Sequence, residues 1–545
     1  MARPDTSPPD VTVPVQGGEI ARVTVQGEAI LAVMIATTAS VAILVLAPPP
    51  GDASAHLYRT WLVDHGVLFW DNLWFAGSYP ILTYSPLYYF LAALFGNTVL
   101  MVVGGVVAAM CFAVLAVSEW GAAGAWPARV FGLCAAGPLI TGTAPYGLGL
   151  ASALASLLAL QRGRRAIALV LAGMTLAFSA LAFFFLGLTL TAVVLSRRCE
   201  RRPLVVMGAG MATLAGCWAA LWMFFPMAGR YPFAWWTLLS VAGVCCCGFA
   251  LAIRAPRAHV MAAFFALWLL SCIALYLVPN PMGEIVTRLR YVVFPLVLLT
   301  VLLGGSRPRW LAALTLAGSA TYNVVPYTAS LAVRVAGDGD AAQQEYWQPT
   351  IDFLTANRSA DHVVTVVATG GHWEAYHLPK AGIPVLRGWY RQVDMTRNEV
   401  LYDPSAEPAD YVRWLHDNAV RYVVLPDVRL DPHTGGREAA LVRHPATGLT
   451  PVLRTDDVVI YEVPHATELL SGLGDARIAR LMHDEVHGSV DAAGPYLLRL
   501  GWSPHWSVLE GAVTLQKTTD GRVLVVAERS GAFRIAVEPR SILPV

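Results

Sequence analysis

Up to about Ser330 the chain reads as long apolar runs separated by short polar breaks. Beyond it, apolar residues recur in brief stretches of helical or strand period. A bilayer core takes about 20 helical residues. On that measure the runs predict about eleven spans, over 28–47, 87–117, 129–143, 147–161, 166–180, 181–196, 203–225, 236–253, 258–278, 291–305 and 310–328. The middle four are short. Basic residues test the count, because arginine and lysine accumulate in short cytoplasmic loops. Arg162, Arg164 and Arg165; Arg197, Arg198, Arg201 and Arg202; Arg254 and Arg257; and Arg307 and Arg309 fall in alternate loops. Fusing 129–161 and 166–196 into single helices would put the RGRR and RRCERR loops on opposite sides, so the parity favours eleven. It also predicts a cytoplasmic N-terminus, with the loop 48–86 and everything after Ser330 on the extracytoplasmic side.

After Ser330 the period changes. QEYWQPTIDFLTAN reads as an amphipathic helix, VVTVVAT as a buried strand, PADYVRWLHDNAV as a second helix and RYVVLP as a second strand. That alternation implies a small α/β layer with partly parallel pairing. Beyond about Leu470, YLLRLGW, WSVLEG, RVLVVAE and AFRIAVE alternate as strands of a β-sandwich or sheet. The expected fold is a polytopic α-helical membrane protein. It would have a tail over 1–27, a membrane core over 28–329 carrying the loop 48–86, an α/β domain over 330–470 and a β-rich module over 471–545.

Composition agrees with a membrane chain: 56% hydrophobic and 14% charged over 545 residues, with a mean hydropathy of +0.54. The tail, rich in Pro, Val and Gly, reads as disordered. The first apolar run lacks a small-residue cleavage site and reads as a retained anchor. All eight cysteines precede the α/β domain, which therefore has no disulfides. Cys245, Cys246 and Cys247 lack a His or Asp at ligand spacing and read as core residues. A formal net charge of +1, with no phosphate-cradling glycine loop, gives no reason to expect nucleic acid. Basic charge that is almost all arginine suggests a GC-rich bacterial genome.

Three stretches carry candidate chemistry. APPPGDASAHLYRTWLVDHGVLFWDNLWFAGSYP follows the first span and places Asp52, His56, Asp64, His65 and Asp71 at a membrane face. A carboxylate at Asp52 suits a general base toward a sugar hydroxyl, or one ligand of a divalent metal. If residues 53–64 are helical, His56 shares its face; alternatively Asp52 only caps that helix. Asp71 and Gly77 suggest a shaped turn. The aromatic set around them, Tyr79 included, reads as interfacial anchors, some of which would stack on sugars. PNPMGEIVTRLRY places Glu284, Arg288 and Arg290 near the membrane, where arginine's fork suits a lipid-borne phosphate. The bland alternative there is a Glu284–Arg288 pair at i, i+4. GGHWEAYHLPKAGIPVLRGWYRQVD gathers His372, Glu374, His377, Arg387, Trp389, Tyr390, Arg391 and Asp394. Its His and Glu spacing does not match HExxH, so a helical zinc site is not expected. Its polar and aromatic mixture suits carbohydrate recognition, or equally a packed interface.

A first loop opening GDASAH, a multispan core with short middle helices and an extracytoplasmic C-terminal domain together resemble the GT-C glycosyltransferases. The stretches GDASAHLYRTWLVDHGVLFWDNLWFAGSYPILTYSPLYY and HWEAYHLPKAGIPVLRGWYRQVD are similar to bacterial integral membrane proteins labelled 6-pyruvoyl-tetrahydropterin synthase-related. No pterin-enzyme zinc site accompanies that label. The GT-C resemblance implies an inverting transfer from a polyprenyl-phosphate sugar to a cell-envelope glycan or lipid acceptor, among membrane lipids in a bacterial plasma membrane. It makes Asp52 the first-loop base and Arg288 or Arg290 the contact to the donor phosphate. Many GT-C enzymes carry a second acid beside the first, where this chain has Ala53, so a divalent metal at Asp52 is left open and no other cofactor is implied. Two other classes remain: a lipid or polysaccharide flippase, which would show paired halves with mid-membrane charges, and a non-catalytic envelope scaffold.

Overall fold

A computed structural model of the chain describes residues 24–82, 84–196, 201–226, 229–304, 308–335 and 340–538. The tail expected over 1–27 lies, up to residue 23, outside the described residues. In chain order the first fourteen helices are α1 (Val25–Leu46), α2 (Ala53–Asp64), α3 (Tyr88–Phe95), α4 (Asn97–Trp120), α5 (Ala125–Cys134), α6 (Pro138–Thr141), α7 (Ala144–Gln161), α8 (Arg165–Phe178), α9 (Ala180–Ser196), α10 (Arg201–Phe224), α11 (Trp235–Ala252), α12 (His259–Leu277), α13 (Val293–Gly304) and α14 (Arg309–Val335). The chain divides into two compact units. The first holds residues up to Pro50, Phe95–Trp218 and Pro232–Leu331; the second holds Gly51–Leu94, Ala219–Tyr231 and Ala332 onward.

The first unit is helical. Among the described residues of the whole chain, seven stretches are long and apolar enough to cross a membrane: Val25–Leu46, Asn97–Thr141, Ala144–Gln161, Val205–Phe224, Trp235–Ala252, His259–Leu277 and Gly283–Gly304. This is a multi-pass membrane protein, but with seven such stretches where about eleven were expected. α8 and α9 have 14 and 17 residues and fall short of a bilayer crossing. The span expected over 129–143 is the end of a longer stretch, and polar Thr315, Ser319 and Asn323 interrupt α14. The span expected over 87–117 is also broken. Gly96, at φ +82, takes a conformation open to glycine and separates α3 from α4.

Small residues let these helices approach closely. A Cβ on Gly132 would lie 2.8 Å from the Ala32 carbonyl oxygen, and one on Gly105 only 2.6 Å from that of Ala135. α1 starts at the cap of Thr24, whose Oγ1 accepts from Gly27 N at 3.0 Å. Glu28 in its first turn is held by Arg129 of α5, which donates at 2.9 and 2.6 Å. Of the adjacent cysteines on α11 only Cys245 is buried, whereas Cys246 faces outward. A cavity of about 300 Å³ inside this unit is walled almost wholly by Leu, Phe, Val and Ala from α4, α7, α9, α12 and α13, with Glu119 and Gln161 among its lining.

The second unit joins the first loop to the C-terminal half. Five further helices, α15 (Gln344–Asn357), α16 (Glu374–Lys380), α17 (Arg391–Arg397), α18 (Pro408–Asp417) and α19 (Gly435–Val442), accompany a four-stranded sheet. Its strands β1 (Val363–Val366), β2 (Val420–Pro426), β3 (Thr450–Arg454) and β4 (Val458–Glu462) lie in the order β1-β2-β4-β3. β1 and β2 are parallel and the other pairs antiparallel. Eight more strands follow: β5 (Leu470–Gly472), β6 (Ala476–Leu481), β7 (Glu485–Val490), β8 (Gly494–Gly501), β9 (Trp506–Glu510), β10 (Val513–Lys517), β11 (Arg522–Ala527) and β12 (Gly531–Val537). They form antiparallel sheets of order β10-β11-β8-β5 and β6-β7-β12-β9. Their alternate residues, among them Leu498, Val523, Val525, Val486 and Ile535, share one core, as in a sandwich.

The loop after α2 is built into this unit. Tyr58, Leu62, Trp74 and Phe75 share a core with Val364, Val366, Tyr422 and Val424 of β1 and β2. Val385 N donates to Leu73 O at 2.9 Å, and Asn72 N to His483 O at 2.6 Å. Asp71 and Ser78 bridge across a turn containing Phe75, Ala76 and Gly77, all at positive φ.

Candidate functional site

Residues 53–64 are helical, as the spacing required, and Asp52 holds the N-cap position of α2. Its side chain makes no capping hydrogen bond, so it does not serve the helix as the capping reading supposed. Asp52 is half-buried and His56 buried. One further helical step brings Arg59 to the same face, at i, i+4 and i+7 from Asp52. Arg59 is only 1% exposed.

His56 and Arg59 converge on the phenol of Tyr89 in α3. Arg59 Nη1 donates to its oxygen at 2.7 Å, and His56 Nδ1 lies 3.1 Å away. Because the oxygen already accepts from Arg59, its own hydrogen is free to be donated to Nδ1. Burial raises the Tyr89 pKa, the Arg59 guanidinium lowers it and the Asp52 carboxylate raises it. Asp52 is thus electrostatically in reach of the same hydroxyl.

Arg59 is caged by aromatic rings, its guanidinium carbon 4.7 Å from the centroid of Tyr84, 5.2 Å from Tyr89 and 4.1 Å from Tyr390. Its Nε and Nη2 are buried without a hydrogen-bond partner, and no carboxylate among the described residues pairs with it. Cation–π contacts recover part of what desolvation costs. They do not satisfy the two nitrogens, which are disposed as the donor fork that binds a carboxylate or phosphate. The signal in the sequence for Arg59 is its place seven residues from Asp52, on the face of α2 that already carries His56.

Tyr390 comes from the third stretch singled out in the sequence, and the structure brings that stretch onto α2. Ser54 Oγ donates to Gly371 O at 2.7 Å, and Trp74 Nε1 to Ala375 O at 2.8 Å. Tyr390 also meets Trp74 and Tyr84 edge-on, and its hydroxyl is buried without a partner. Trp389 is half-buried, its ring 5.9 Å from that of Tyr390.

The other residues of that stretch are engaged elsewhere. Arg387 is buried and grips Asp394 through two bonds of 3.0 and 2.6 Å, Glu438 through one of 2.6 Å and Thr434 at 3.0 Å. Burial opposes its charge, but the two carboxylates hold it protonated. One guanidinium serves two acids, so they ionise unequally. Burial is outweighed by Arg387 at Asp394, which stays below the usual carboxylate range, whereas burial pushes Glu438 up to about 7. Four of the five N–H groups of Arg387 are spent inside the protein, and its role is to clamp the α/β layer.

His372, at φ +51, lies 3.3 Å from Glu374 and 3.8 Å from Asp431, and Arg391 reaches Asp431 at 3.3 Å and His433 at 2.8 Å. Burial lowers the His372 pKa, but Glu374 and Asp431 raise it further. Glu374 accepts from Thr369 at 2.6 Å. His377 turns away to Ala342 O at 3.1 Å, and burial brings its pKa down to about 4.

Asp71 is fully buried. Its carboxylate accepts from Tyr58 at 2.9 Å and from Leu73 N at 3.0 Å, and pairs with His483 at 2.8 Å. Those bonds make it an organiser of the loop rather than an open sugar ligand. Tyr79 is buried, its hydroxyl 2.8 Å from that of Ser503.

Glu284, Arg288 and Arg290 belong to the first unit, on a 3-10 helix over Gly283–Val292. At three residues per turn, positions i and i+4 no longer share a face, and neither do i and i+2. The i, i+4 spacing of Glu284 and Arg288 is therefore not the α-helical one for which their pair was envisaged. The two arginines face different surroundings, Arg288 acting electrostatically on Tyr146 and Arg290 on Tyr322. Arg290 Nε is buried without a partner. No group of three or more His, Cys, Asp or Glu side chains among the described residues converges as a metal site would require, at Asp52 or elsewhere.

No protein-family model matches the chain, and no curated protein matches it. Among solved structures it is similar to the arabinofuranosyltransferase AftD from Mycobacteria, 16% identical over 88% of this chain and 41% of that one, with a TM-score of 0.44. A mutant form of AftD is 14% identical over 88% of this chain and 43% of that one, with a TM-score of 0.47. ArnT from Cupriavidus metallidurans bound to undecaprenyl phosphate is 14% identical over 81% of this chain and 99% of that one, with a TM-score of 0.40. The chain spans about two fifths of the length of AftD.

Proposed function

We propose that the protein transfers a sugar from a polyprenyl-phosphate donor to a hydroxyl of a cell-envelope glycan or lipid on the extracytoplasmic face of the membrane. The observation that carries this reading is the face of α2, from which His56 and Arg59 reach Tyr89, with Asp52 at its start, while two buried nitrogens of Arg59 lack acceptors. A half-buried carboxylate suits a general base. A buried, unpaired guanidinium suits an anion that arrives with substrate, because desolvated donors bind developing charge strongly.

In the proposed step Asp52 takes the acceptor's hydroxyl proton. The freed oxygen attacks the anomeric carbon as the bond from that carbon to the phosphate oxygen breaks, with inversion, and the phosphate leaves with the electron pair. Arg59 is assigned to anionic oxygens of a substrate. The apolar cavity of the first unit supports a lipid-borne donor, being a dry wall of the kind an isoprenoid chain would fill. The step is written without a metal, since no cluster of three ligands forms at Asp52.

The test is turnover of a panel of polyprenyl-phosphate pentoses and hexoses by the full chain in lipid nanodiscs, comparing wild type with Asp52→Asn. Transfer or donor hydrolysis that disappears in a folded Asp52→Asn protein supports the reading. Undiminished activity in that variant sinks the assignment of the base, and failure of every donor to bind moves the reading to transport or scaffolding.

A further inference from the structure

The second unit contains a cavity of about 540 Å³ that the proposed chemistry does not use. Its size falls within the range of small-molecule sites. The first loop contributes Tyr79 and Trp70, the end of α17 Arg397, the end of β8 Arg499 and Trp502, and the β10–β11 hairpin Lys517 and Arg522.

Its charge is unbalanced. Arg397 donates through Nη1 to the carbonyls of Phe75 and Gly77 and pairs with no carboxylate among the described residues. It is surrounded by protein yet exposes much of its surface, and desolvation brings its pKa down to about 10. Arg499 spends Nη1 on Glu468 O and Ser471 Oγ, both at 2.7 Å, and its Nε is buried without a partner. Arg522 bonds Asp417 O at 2.6 Å and pairs with Asp520 at 3.3 Å. Asp520 is the one acid in the lining, against three arginines and Lys517. Cations gathered around a water-accessible space attract an anion. Trp502, half-buried in the lining, supplies a flat apolar face of the kind a sugar ring covers, and the buried rings of Trp70 and Tyr79 back the wall.

The geometry points to a binding site for an acidic saccharide, a sugar ring carrying a carboxylate or a phosphate. The site stands whether or not Asp52 performs transfer. Lys517 is exposed at the cavity edge and acts as its long-range attractor, while Arg499 and Arg397 supply the inner donors.

The experiment is equilibrium binding to the full chain in neutral-lipid nanodiscs, using an oligogalacturonide, glucose 6-phosphate, inorganic phosphate, a neutral malto-oligosaccharide and AMP as probes. The carboxylated or the phosphorylated sugar, whichever class the site takes, is expected to bind at least about tenfold more tightly than the neutral one and to weaken as salt rises. Lys517→Gln is expected to weaken it by about three- to tenfold with an unchanged melting temperature, and Arg499→Gln by as much with a lowered one, since it also frees the Glu468 carbonyl and the Ser471 hydroxyl. Arg397→Gln is a supporting variant only, since it also frees two carbonyls. Equal affinity for neutral and acidic sugars, tighter binding of AMP or of inorganic phosphate alone, no binding at millimolar probe, or variants that fold and bind as wild type would each overturn the proposal.

Discussion

The guanidinium of Arg59 lies 4.1 Å from the ring centroid of Tyr390, although 331 positions separate the two in sequence. The contact closes an aromatic cage over a cation that no carboxylate balances, so fold stability and anion binding pull against each other there. Replacing an unsupported buried charge by an apolar side chain of similar length is expected to leave stability unchanged or raise it by about 1 kcal/mol or more. Arg59→Met should therefore melt at or above the wild-type temperature while losing about 100-fold or more in transfer, as on removal of a preorganised donor. A variant that unfolds, or one that keeps full activity, contradicts this account of the cage.

Asp52→Asn keeps the size of the side chain and removes the base. Since the carboxylate makes no capping bond to α2, the melting temperature should move little. Transfer should fall by about 10²–10⁴-fold. The pair of measurements separates a catalytic from a capping role, because loss of a cap would cost about 1 kcal/mol of stability instead.

Asp71 and His483 tie the first loop to the β6–β7 turn at 2.8 Å. Burial of the His483 ring works against its charge, but the hydrogen bond and charge of Asp71 raise its pKa above the ordinary histidine value. A raised histidine stabilises the fold fully below its unfolded pKa of about 6.5 and loses that contribution as pH climbs through the folded value. His483→Gln should therefore destabilise by about 1–2 kcal/mol at pH 6 and by less at pH 8.5. Thermal melts at the two pH values decide it; a uniform loss would leave only packing as the cause.

Arg387 supports two acids, and removing it leaves both buried without a partner. Arg387→Met should cost about 3–5 kcal/mol and be read as loss of protease resistance of the second unit. Glu438→Gln should act oppositely in form. Because Glu438 titrates near 7 in the fold and near 4.5 unfolded, wild-type stability contributed by this group falls as pH rises across that window. The amide variant should flatten that fall in pH-dependent melts.

Gly77 sits at φ +120, where an added Cβ would collide with the Trp70 ring. Gly77→Ala combines backbone strain with overpacking and should cost at least about 2 kcal/mol. Limited proteolysis of the 71–78 turn, compared with a neutral control such as Gly66→Ala, measures it; that control is also at positive φ, but a Cβ there meets nothing within 4 Å.

Local pattern was enough for much of the fold. The period of apolar residues sets α1, α7 and α10 to α12 within a few residues, and the helix–strand alternation after Ser330 gives α15, β1, α18 and β2 with partly parallel pairing, met by β1 and β2, because each rests on a face that must be buried. Asp52 and His56 on one face of α2 also follow from spacing alone. Tertiary structure decided the rest. A glycine at positive φ, not hydropathy, parts α3 from α4 at Gly96, and residues 283–292 wind as a 3-10 helix. Arg387, Asp71 and Arg59 are all ionisable groups in candidate stretches, alike to a sequence reader. Only the folded chain shows that the first two are engaged, with partners from 2 to 412 positions away, while Arg59 keeps two nitrogens open. Periodicity is a local consequence of burial; whether a buried charge is satisfied depends on which partners the fold brings to it.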